Sequence, residues 1–495
     1  MITVLLIGHD YQYEVKELLK LFYTVEDIEI IQPLQKSFHE TMIQTAKNTI
    51  ISKFLTEENR GTVITEGNFR GKKQKIETSF LLENNILDTR KKAKQAIKSS
   101  MFQLLTKEKD KNLPWGFLTG IRPTKIVHEL MEKDLSDEEI LGVLTEEYFI
   151  VEEKALLLLG IAKTEHQYVY PIDENKVSLY ISIPFCPTRC VYCSFPSNPL
   201  NKFEEYVPQY VEALCQEIVG VGEMLSKMGK EVETLYIGGG TPTTLKVEEF
   251  FQLFHTIFAS FDLKNLKEFT VEAGRPDTID KKKLVFLKNS GVTRISINPQ
   301  TMNDCTLQKI GRKHSAKEIV EAYQLAKDVG FENINMDIII GLPGENPDMV
   351  CHTMEEIKKL SPNNLTVHTL AIKNASKLKE DQYHTKIEED HIMKMLEITA
   401  EYAREMGLKP YYMYRQKHMV GNLENIGYAK PGYECIYNIQ IMEEKQTIIA
   451  MGAGAVSKIV FPKENRLERV PNVKNLEQYL NRAEEMIERK KKPLN

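Results

Sequence analysis

The middle of the chain is a regular succession of short apolar runs and amphipathic stretches. Each run is rich in β-branched and aromatic residues, and each precedes a stretch with helical periodicity. Strands that alternate with helices predict parallel βαβ units. The six runs are VSLYISI (177–183), ETLYIGG (233–239), EFTVEA (268–273), RISINP (294–299), NINMDIII (333–340) and NLTVHTLA (364–371). They predict an α/β fold, a partial (β/α)6 barrel that is shorter than the eight-fold barrel.

The sequence on either side of these runs predicts further domains, since 495 residues are too many for one compact core. The predicted N-terminal elements are a strand at 2–7, a helix at 13–22, a hairpin or short sheet at 61–82, and helices at 88–106 and 124–163. We therefore predict an N-terminal α+β and helical domain over residues 1–170, a barrel over 171–400 and a small C-terminal domain over 401–495. The last domain contains a glycine-rich segment at 451–457.

Composition and charge narrow the class of protein. With 42% hydrophobic and 27% charged residues the chain is globular, because a disordered chain has too little apolar surface to offset its chain entropy. A net charge of −5 argues against a nucleic-acid partner, which requires a basic surface. The apolar run at residues 1–7 has no basic segment before it and no cleavage site, and no uncharged run approaches the ~18 residues of a membrane span. We predict a cytoplasmic protein without a membrane partner.

Three of the seven cysteines, Cys186, Cys190 and Cys193, follow the first predicted barrel strand with CxxxCxxC spacing. An odd number of cysteines argues against a disulfide framework. Iron–sulfur clusters are held by cysteine thiolates, and three thiolates leave one iron of a 4Fe–4S cluster open to a chelating ligand. The alternative is structural zinc, which needs four ligands, usually in two pairs. The remaining cysteines form no second pair; they are Cys215, Cys305, Cys351 and Cys435.

Polar residues and glycines follow the ends of the later predicted strands. In parallel barrels the chemistry lies at the carboxyl ends of the strands. The segment GGGTPT (238–243) follows the second run, and its glycines let the backbone approach a ligand closely. The other candidates are Glu272, Gln300, Arg312 and Asp337. Together they predict hydrogen-bond acceptors and one cation around a single barrel mouth.

The cysteine spacing, with an aromatic residue directly before the last cysteine, resembles the radical SAM superfamily. This resemblance implies that the open iron binds the amino and carboxylate groups of S-adenosylmethionine (SAM). An electron from the cluster then breaks a carbon–sulfur bond of SAM and gives a 5′-deoxyadenosyl radical. In such enzymes the cofactor performs the difficult chemistry and the protein positions it.

A narrower resemblance extends over roughly residues 177–460. The motif LYxxIPFC, the GGGTPT segment and the later strand ends resemble the oxygen-independent coproporphyrinogen III oxidase (coproporphyrinogen dehydrogenase) family. The phrases LTGIRPTK (118–125) and GNLENIGYAKPG (421–432) resemble its longer, Gram-positive branch. The resemblance implies one SAM near Tyr180, Gly239 and Glu272. Cofactor contacts of a second SAM are implied at Tyr192, Gly240, Thr241, Gln300, Arg312, Asp337 and Ala371. Phe195 is a further cofactor-binding candidate.

The reaction that this resemblance implies is oxidative decarboxylation in haem biosynthesis. The radical takes a hydrogen from the β-carbon of a propionate of coproporphyrinogen III, carbon dioxide and one electron leave, and a vinyl group remains. Repetition on a second propionate gives protoporphyrinogen IX. The implied partners are a tetrapyrrole substrate and a reductant protein such as flavodoxin or ferredoxin. Arg122, Arg415 and Lys417 are candidate cations for the substrate carboxylates.

The chain departs from the oxidase pattern at three places and leaves alternatives open. It has Ser182 where the oxidases carry His, Phe195 where they carry Cys, and Asn298-Pro299-Gln300 where they usually read GVQ. Haem chaperones of the same branch have Phe at the position of Phe195, but they also carry a His-Asn…Tyr-Trp motif that residues 437–442 lack. Methylases, haem-degrading enzymes and a non-enzymatic electron carrier are further alternatives. A carrier has no need of Glu272 or Asp337.

Overall fold

A computed structural model describes most of the chain. The described residues are 1–32, 48–83, 85–111, 113–120, 122–371, 389–415 and 423–494. They form two compact units, Met1–Leu159 and Gly160–Asn495.

The first unit contains a five-stranded sheet. Its strands are β1 (Ile2–Ile7), β2 (Ile28–Ile31), β3 (Asn48–Glu57), β4 (Arg60–Phe69) and β5 (Lys72–Leu81), in the order β2-β1-β3-β4-β5. Its helices are α1 (Gln12–Leu19), α2 (Ile86–Lys109), α3 (Thr124–Met131) and α4 (Asp137–Gly142). Strand β1, the β4–β5 hairpin and helix α2 lie where the sequence predicts them. The Asn85 side chain accepts a hydrogen bond from the Leu87 N–H and so caps the start of α2.

Six parallel strands form the centre of the second unit. They are β6 (Lys176–Ile183), β9 (Glu231–Gly239), β10 (Glu268–Glu272), β11 (Arg294–Ser296), β12 (Asn333–Ile340) and β13 (Asn364–Thr369). Each of them is parallel to its neighbour in this series. All six predicted runs are therefore strands, and the predicted partial (β/α)6 barrel is confirmed. A two-residue strand pair, β7 (Phe185–Cys186) with β8 (Asn198–Pro199), follows β6.

Helices connect the parallel strands, as right-handed βαβ crossovers require. They are α6 (Leu200–Phe203), α7 (Val207–Lys227), α8 (Val247–Ser260), α9 (Lys281–Asn289), α10 (Asp304–Lys309), α11 (Ala316–Asp328) and α12 (Pro347–Leu360). Helix α13 (Glu389–Glu405) follows β13 along the chain. Helix α5 (Glu152–Val169) precedes β6 and runs across the boundary between the two units along the chain. Helix α7 buries one apolar face, which includes Val211, Leu214 and Ile218.

The C-terminal strands extend the same sheet at both edges. The elements are β14 (Lys409–Tyr414), β15 (Asn425–Ala429), α14 (Ile436–Glu443), β16 (Thr447–Met451), β17 (Val456–Phe461), β18 (Arg466–Pro471), α15 (Leu476–Leu480) and α16 (Ala483–Lys491). Strand β15 pairs antiparallel with β13, and β16 pairs parallel with β6. The sheet order is β14-β15-β13-β12-β11-β10-β9-β6-β16-β17-β18. The domain boundaries 1–170, 171–400 and 401–495 stay predictions.

The strand register brings the carboxyl ends of the parallel strands to one edge of the sheet. Ile183 pairs with Gly239 where β6 and β9 end, and Glu272 pairs with Ser296 where β10 and β11 end. Residues that follow these strands therefore lie at one barrel mouth. Within the described ranges, no helix is both long enough and apolar enough to cross a membrane.

Candidate active site

The cysteine loop at residues 184–196 is tied to the segment that follows β11. The Val191 N–H donates to the carbonyl of Ile310 at 3.1 Å, and the Thr188 hydroxyl donates to the carbonyl of Gly311 at 3.1 Å. Within the loop, the Cys193 N–H donates to the carbonyl of Cys190 at 3.1 Å. Neighbouring βα connections thus hold the loop in shape at the barrel mouth.

The loop gathers three free thiols whose charges act on one another. Cys190 is buried, and Cys186 and Cys193 are half-buried. Burial raises the pKa of the Cys186 and Cys193 thiols, and the charge of the neighbouring Cys190 raises the pKa of both further. Iron binds thiolates and displaces their protons, so a cationic cluster relieves this mutual repulsion. This donor set fits a 4Fe–4S cluster with one iron free of protein ligands.

The glycine-rich turn after β9 packs directly against the cysteine loop. The Gly240 N–H donates to the Ile183 carbonyl at 2.8 Å, and the Thr241 N–H donates to the Phe185 carbonyl at 2.7 Å. A Cβ at Gly240 would lie 2.5 Å from the Phe185 oxygen and 3.0 Å from the Cys186 Sγ, so only glycine fits there. Gly239 has a φ of 110°, which also favours glycine. The Thr241 hydroxyl donates to the Cys186 Sγ at 3.5 Å.

Glu272 ends β10 as a half-buried carboxyl beside a stack of tyrosines. The Tyr236 hydroxyl donates to its Oε1 at 2.7 Å. The rings of Tyr180 and Tyr236 stack at 6.0 Å between centroids, and those of Tyr236 and Tyr437 at 4.5 Å. We predicted Tyr180 and Glu272 from the sequence but missed Tyr236 and Tyr437. The only signal for Tyr236 was its inward position two residues before the glycines.

Burial raises the pKa of Glu272 to about 7, against the hydrogen bond from Tyr236. The negative charge of Asp337 raises this pKa further, whereas the Gly239 N–H and the Arg294 guanidinium lower it. Near neutral pH this carboxyl is therefore balanced between its two protonation states.

Gln300 and Asp337 are joined through the backbone. The Gln300 N–H donates to the Asp337 carbonyl at 2.9 Å, and the Ile339 N–H donates to the Gln300 carbonyl at 2.9 Å. Gln300 has a φ of 67°, a left-handed conformation that costs roughly 1–3 kcal/mol in a residue other than glycine. Such strain is concentrated at functional sites, where surrounding contacts hold it. These bonds fix the position of Gln300 at the mouth.

The Asp337 carboxylate has two polar neighbours. Asn335 Nδ2 donates to its Oδ1 at 2.7 Å, and His368 Nε2 lies 3.9 Å from its Oδ2. Burial favours the neutral form, but His368 and Asn335 lower the pKa of Asp337 on balance. Asp337 is thus ionised under conditions in which Glu272 is partly protonated.

Arg312 is buried beside the cysteine loop with one donor left over. Its Nη1 donates to the Asn298 carbonyl at 2.6 Å, and its Nη2 donates to the Tyr192 hydroxyl at 3.3 Å. The Nε atom is buried and has no hydrogen-bond partner in the described part of the chain. A buried donor without a partner costs about 1–3 kcal/mol, so this position favours a bound carboxylate.

Five residues predicted from the sequence are still to be located: Phe195, Ala371, Arg415, Arg122 and Lys417. Phe195 is 63% exposed, and Ala371 follows β13 with a half-buried side chain. Arg415 is buried, and burial lowers its pKa to about 10 against the charge of Glu424, so it stays cationic at neutral pH. Arg122 belongs to the first unit, and Lys417 lies outside the described residues. The cofactor-binding roles of the predicted residues stay predictions.

The glycine-rich turn at 451–457 supports the end of β6, a role that the sequence did not indicate. The Ser182 hydroxyl donates to the Ala453 carbonyl at 3.2 Å. Tyr210 donates to the Ser182 carbonyl at 2.6 Å and accepts from the Ala453 N–H at 3.1 Å. The Gly452 N–H donates to Glu217 Oε2 at 2.8 Å. The turn therefore braces the strand that leads into the cysteine loop.

This barrel and its three-cysteine loop define a radical SAM protein, and the radical SAM superfamily matches residues 180–357 of the chain. Proteins of this class use a 4Fe–4S cluster and SAM. Among its curated relatives is the oxygen-independent coproporphyrinogen-III oxidase-like protein HemZ of Bacillus subtilis. It is 41% identical over 408 residues, which are 82% of this chain and 81% of that protein. The chain belongs to the family of oxygen-independent coproporphyrinogen-III oxidase-like proteins.

The chain is also similar to a heme chaperone and, in fold, to a solved oxidase. The heme chaperone HemW of Bacillus subtilis is 32% identical over 287 residues, covering 56% of this chain and 70% of that protein. The fold is similar to the solved coproporphyrinogen III oxidase HemN of Escherichia coli, with a TM-score of 0.50 at 24% identity. That likeness covers 66% of this chain and 73% of that one.

Proposed function

We propose that the chain is a radical SAM oxidoreductase that decarboxylates the propionates of coproporphyrinogen III and so forms protoporphyrinogen IX. The observation that carries this proposal is the similarity to the oxidase-like HemZ over four-fifths of both chains. The barrel mouth supports it because it combines the three thiols with buried acceptors and a buried guanidinium. The proposed product is a precursor of haem.

The proposal gives each group at the mouth a task. Cys186, Cys190 and Cys193 hold the cluster. When bound, the cluster and SAM supply a 5′-deoxyadenosyl radical. Glu272 accepts hydrogen bonds from SAM beside Gly239.

A second SAM fits the neighbouring set of residues. The buried Nε of Arg312 matches a carboxylate, and the ionised Asp337 matches hydroxyl or ammonium donors. The strained Gln300 is held next to Asp337 by the backbone bonds. Thr241, Gly240, Tyr192 and Ala371 complete the set that we propose, and Phe195 stays a separate candidate for cofactor contact.

The proposed reaction balances for each propionate. One hydrogen atom leaves the β-carbon and forms 5′-deoxyadenosine, and the carboxylate carbon leaves as carbon dioxide. One electron passes from the substrate to a one-electron acceptor, while a reductant protein such as flavodoxin or ferredoxin supplies the electron for SAM cleavage. Arg415, cationic at neutral pH, is a candidate partner for a substrate carboxylate.

Haem binding for delivery is the second candidate function. It is favoured by the 32% identity to the heme chaperone HemW and by Phe195, whose exposed side chain replaces the cysteine of the oxidases. The residues of helix α14, at 436–443, contain neither His nor Trp, which counts against haem ligation of the chaperone kind.

An anaerobic turnover assay separates the two functions. Reconstituted protein is mixed with reductant, SAM and coproporphyrinogen III, and the products are identified by mass. We expect loss of carbon dioxide, formation of protoporphyrinogen IX and a matching amount of 5′-deoxyadenosine. If 5′-deoxyadenosine forms while the porphyrinogen is unchanged, the oxidase proposal is wrong, and haem titration tests the chaperone function.

We expect SAM binding to weaken as the pH falls below about 7, because the pKa of Glu272 is raised to about 7 and its carboxylate is lost by protonation. Below that pKa the charged fraction of Glu272 falls roughly tenfold per pH unit, and the Kd for SAM approaches a tenfold rise per pH unit. Equilibrium dialysis of SAM against the anaerobic, unreduced protein between pH 6 and pH 8 measures this dependence.

Glu272→Gln is the matched variant, since glutamine keeps the shape of the side chain and removes the titratable carboxyl group. We expect it to bind SAM weakly and with little change over the same pH range. Asp337 titrates lower and Tyr236 higher than this range, so neither produces the same profile. An identical pH dependence in the variant and the wild type would contradict the role of Glu272.

A further inference from the structure

An ion pair between the buried Arg275 and the more exposed Asp277 lies beside the cysteine loop and has no part in the contacts described so far. The Arg275 guanidinium is 3% exposed and binds Asp277 through two parallel bonds, Nε to Oδ1 at 2.9 Å and Nη2 to Oδ2 at 2.8 Å. Its remaining nitrogen, Nη1, lies 3.2 Å from the Thr188 hydroxyl and 3.9 Å from the Cys190 Sγ. One edge of the guanidinium therefore faces the carboxylate and Nη1 faces the sulfur.

Asp277 has a second polar neighbour on another element. His314 Nδ1 lies 3.6 Å from the Asp277 Oδ1, and His314 is buried. Burial favours the neutral carboxyl, but His314 and Arg275 hold the pKa of Asp277 well below its usual range. The carboxylate is thus charged, and it fixes the orientation of Arg275. Two parallel bonds allow the planar guanidinium little freedom to rotate.

This orientation has an electrostatic consequence for any cluster that Cys190 holds. Reduction adds an electron to the cluster and its sulfurs, and a donor or cation beside a ligand sulfur stabilises the more negative state. The low dielectric of a buried site strengthens this effect. Nη1 offers such a donor, while the opposing charge of Asp277 lies at the other edge of the guanidinium.

We propose that Arg275 is a positioning residue that raises the reduction potential of the cluster through Cys190, and that Asp277 orients it and moderates its charge. The inference rests on the proposed function, because it takes Cys190 as a cluster ligand. Neither Arg275 nor Asp277 is among the cofactor contacts predicted from the sequence. Arg312 is a second cation near Cys190, and two of its nitrogens also donate to Asn298 and Tyr192.

The test is a redox titration of the reconstituted full-length protein, followed by electron paramagnetic resonance. We expect Arg275→Gln to lower the ratio of reduced to oxidised cluster at a fixed potential roughly tenfold, which for one electron corresponds to a shift of about 59 mV. Arg275→Lys keeps the charge and restores part of the ratio. Asp277→Asn keeps an acceptor oxygen but removes the negative charge, so it shifts the ratio in the opposite direction.

Iron and sulfide content is measured for every variant, and Arg482→Gln is the control, because Arg482 is an exposed arginine that also pairs with a carboxylate. Fully loaded Arg275→Gln and Asp277→Asn proteins with unchanged ratios, or with shifts in the same direction, would overturn the proposal. If Arg275→Gln does not assemble its cluster, Asp277→Asn provides the test. A higher ratio of reduced to oxidised cluster in Asp277→Asn supports the proposal, and an unchanged or lower ratio overturns it. A Cys190→Ala protein that keeps a normal cluster instead overturns the proposed cluster ligands.

Discussion

Cys193→Ala is expected to abolish the broad visible absorption of the cluster and all cleavage of SAM. The expected effect is complete because the three thiolates of one loop hold the cluster, and the remaining pair, Cys186 and Cys190, leaves a second iron without a protein ligand. The loop offers no replacement, since its other side chains are not thiols. Absorption spectra and chromatography of 5′-deoxyadenosine after anaerobic reconstitution measure these two losses, and iron content measures how much cluster is retained.

Cys305→Ala is the matched control, because Cys305 is an exposed free cysteine far along the chain from the loop. We expect it to retain the wild-type iron content and rate of SAM cleavage. Production of 5′-deoxyadenosine at the wild-type rate by Cys193→Ala would show that the cluster ligands are assigned wrongly.

Lys490→Met is expected to destabilise the protein by roughly 3–5 kcal/mol, as is usual when one partner of a buried ion pair is removed. Lys490 Nζ donates to Glu217 Oε1 at 2.6 Å, and both side chains are fully buried. Glu217 also accepts from the Tyr479 hydroxyl at 2.6 Å and from Asn472 Nδ2 at 2.8 Å. Loss of Lys490 leaves the carboxylate hydrogen-bonded but without a counter-charge.

Urea denaturation of the full-length protein, followed by circular dichroism, measures this loss as a lower midpoint. Lys491→Met is the control, since Lys491 forms a partly exposed pair with Glu488 on the same helix; such pairs contribute about 1 kcal/mol or less. Glu217→Gln added to Lys490→Met removes the buried charge, and we expect it to recover part of the stability. Equal midpoints for Lys490→Met and Lys491→Met would show that the pair contributes nothing.

The buried hydrogen-bond network around Glu217 also extends to the strand that precedes the cysteine loop. Glu217 Oε2 accepts from the Gly452 N–H, and the turn that contains Gly452 contacts Ser182 at the end of β6. The cysteine loop begins two residues after Ser182. We therefore expect loss of the ion pair to lower cluster retention as well as the free energy of unfolding.

The sequence by itself determined the barrel and the position of its chemistry. Alternation of β-rich runs with helical stretches is a local property, so all six parallel strands could be predicted from it. The carboxyl ends of those strands meet at one edge for topological reasons, so Glu272 and Asp337 could be predicted to share a mouth. The spacing of Cys186, Cys190 and Cys193 within one loop is also local, and it indicated a cluster directly.

Tertiary structure alone decided the contacts that join distant parts of the chain. Arg275 and Cys190 are 85 residues apart, and Lys490 and Glu217 are 273 apart. The addition of β16 to the edge of β6 is of the same kind. No local period relates such partners, because strand register, loop closure and side-chain packing bring them together only when the whole unit folds. The sequence therefore predicted where the chemistry lies, whereas the folded sheet decided which distant residues contact that region.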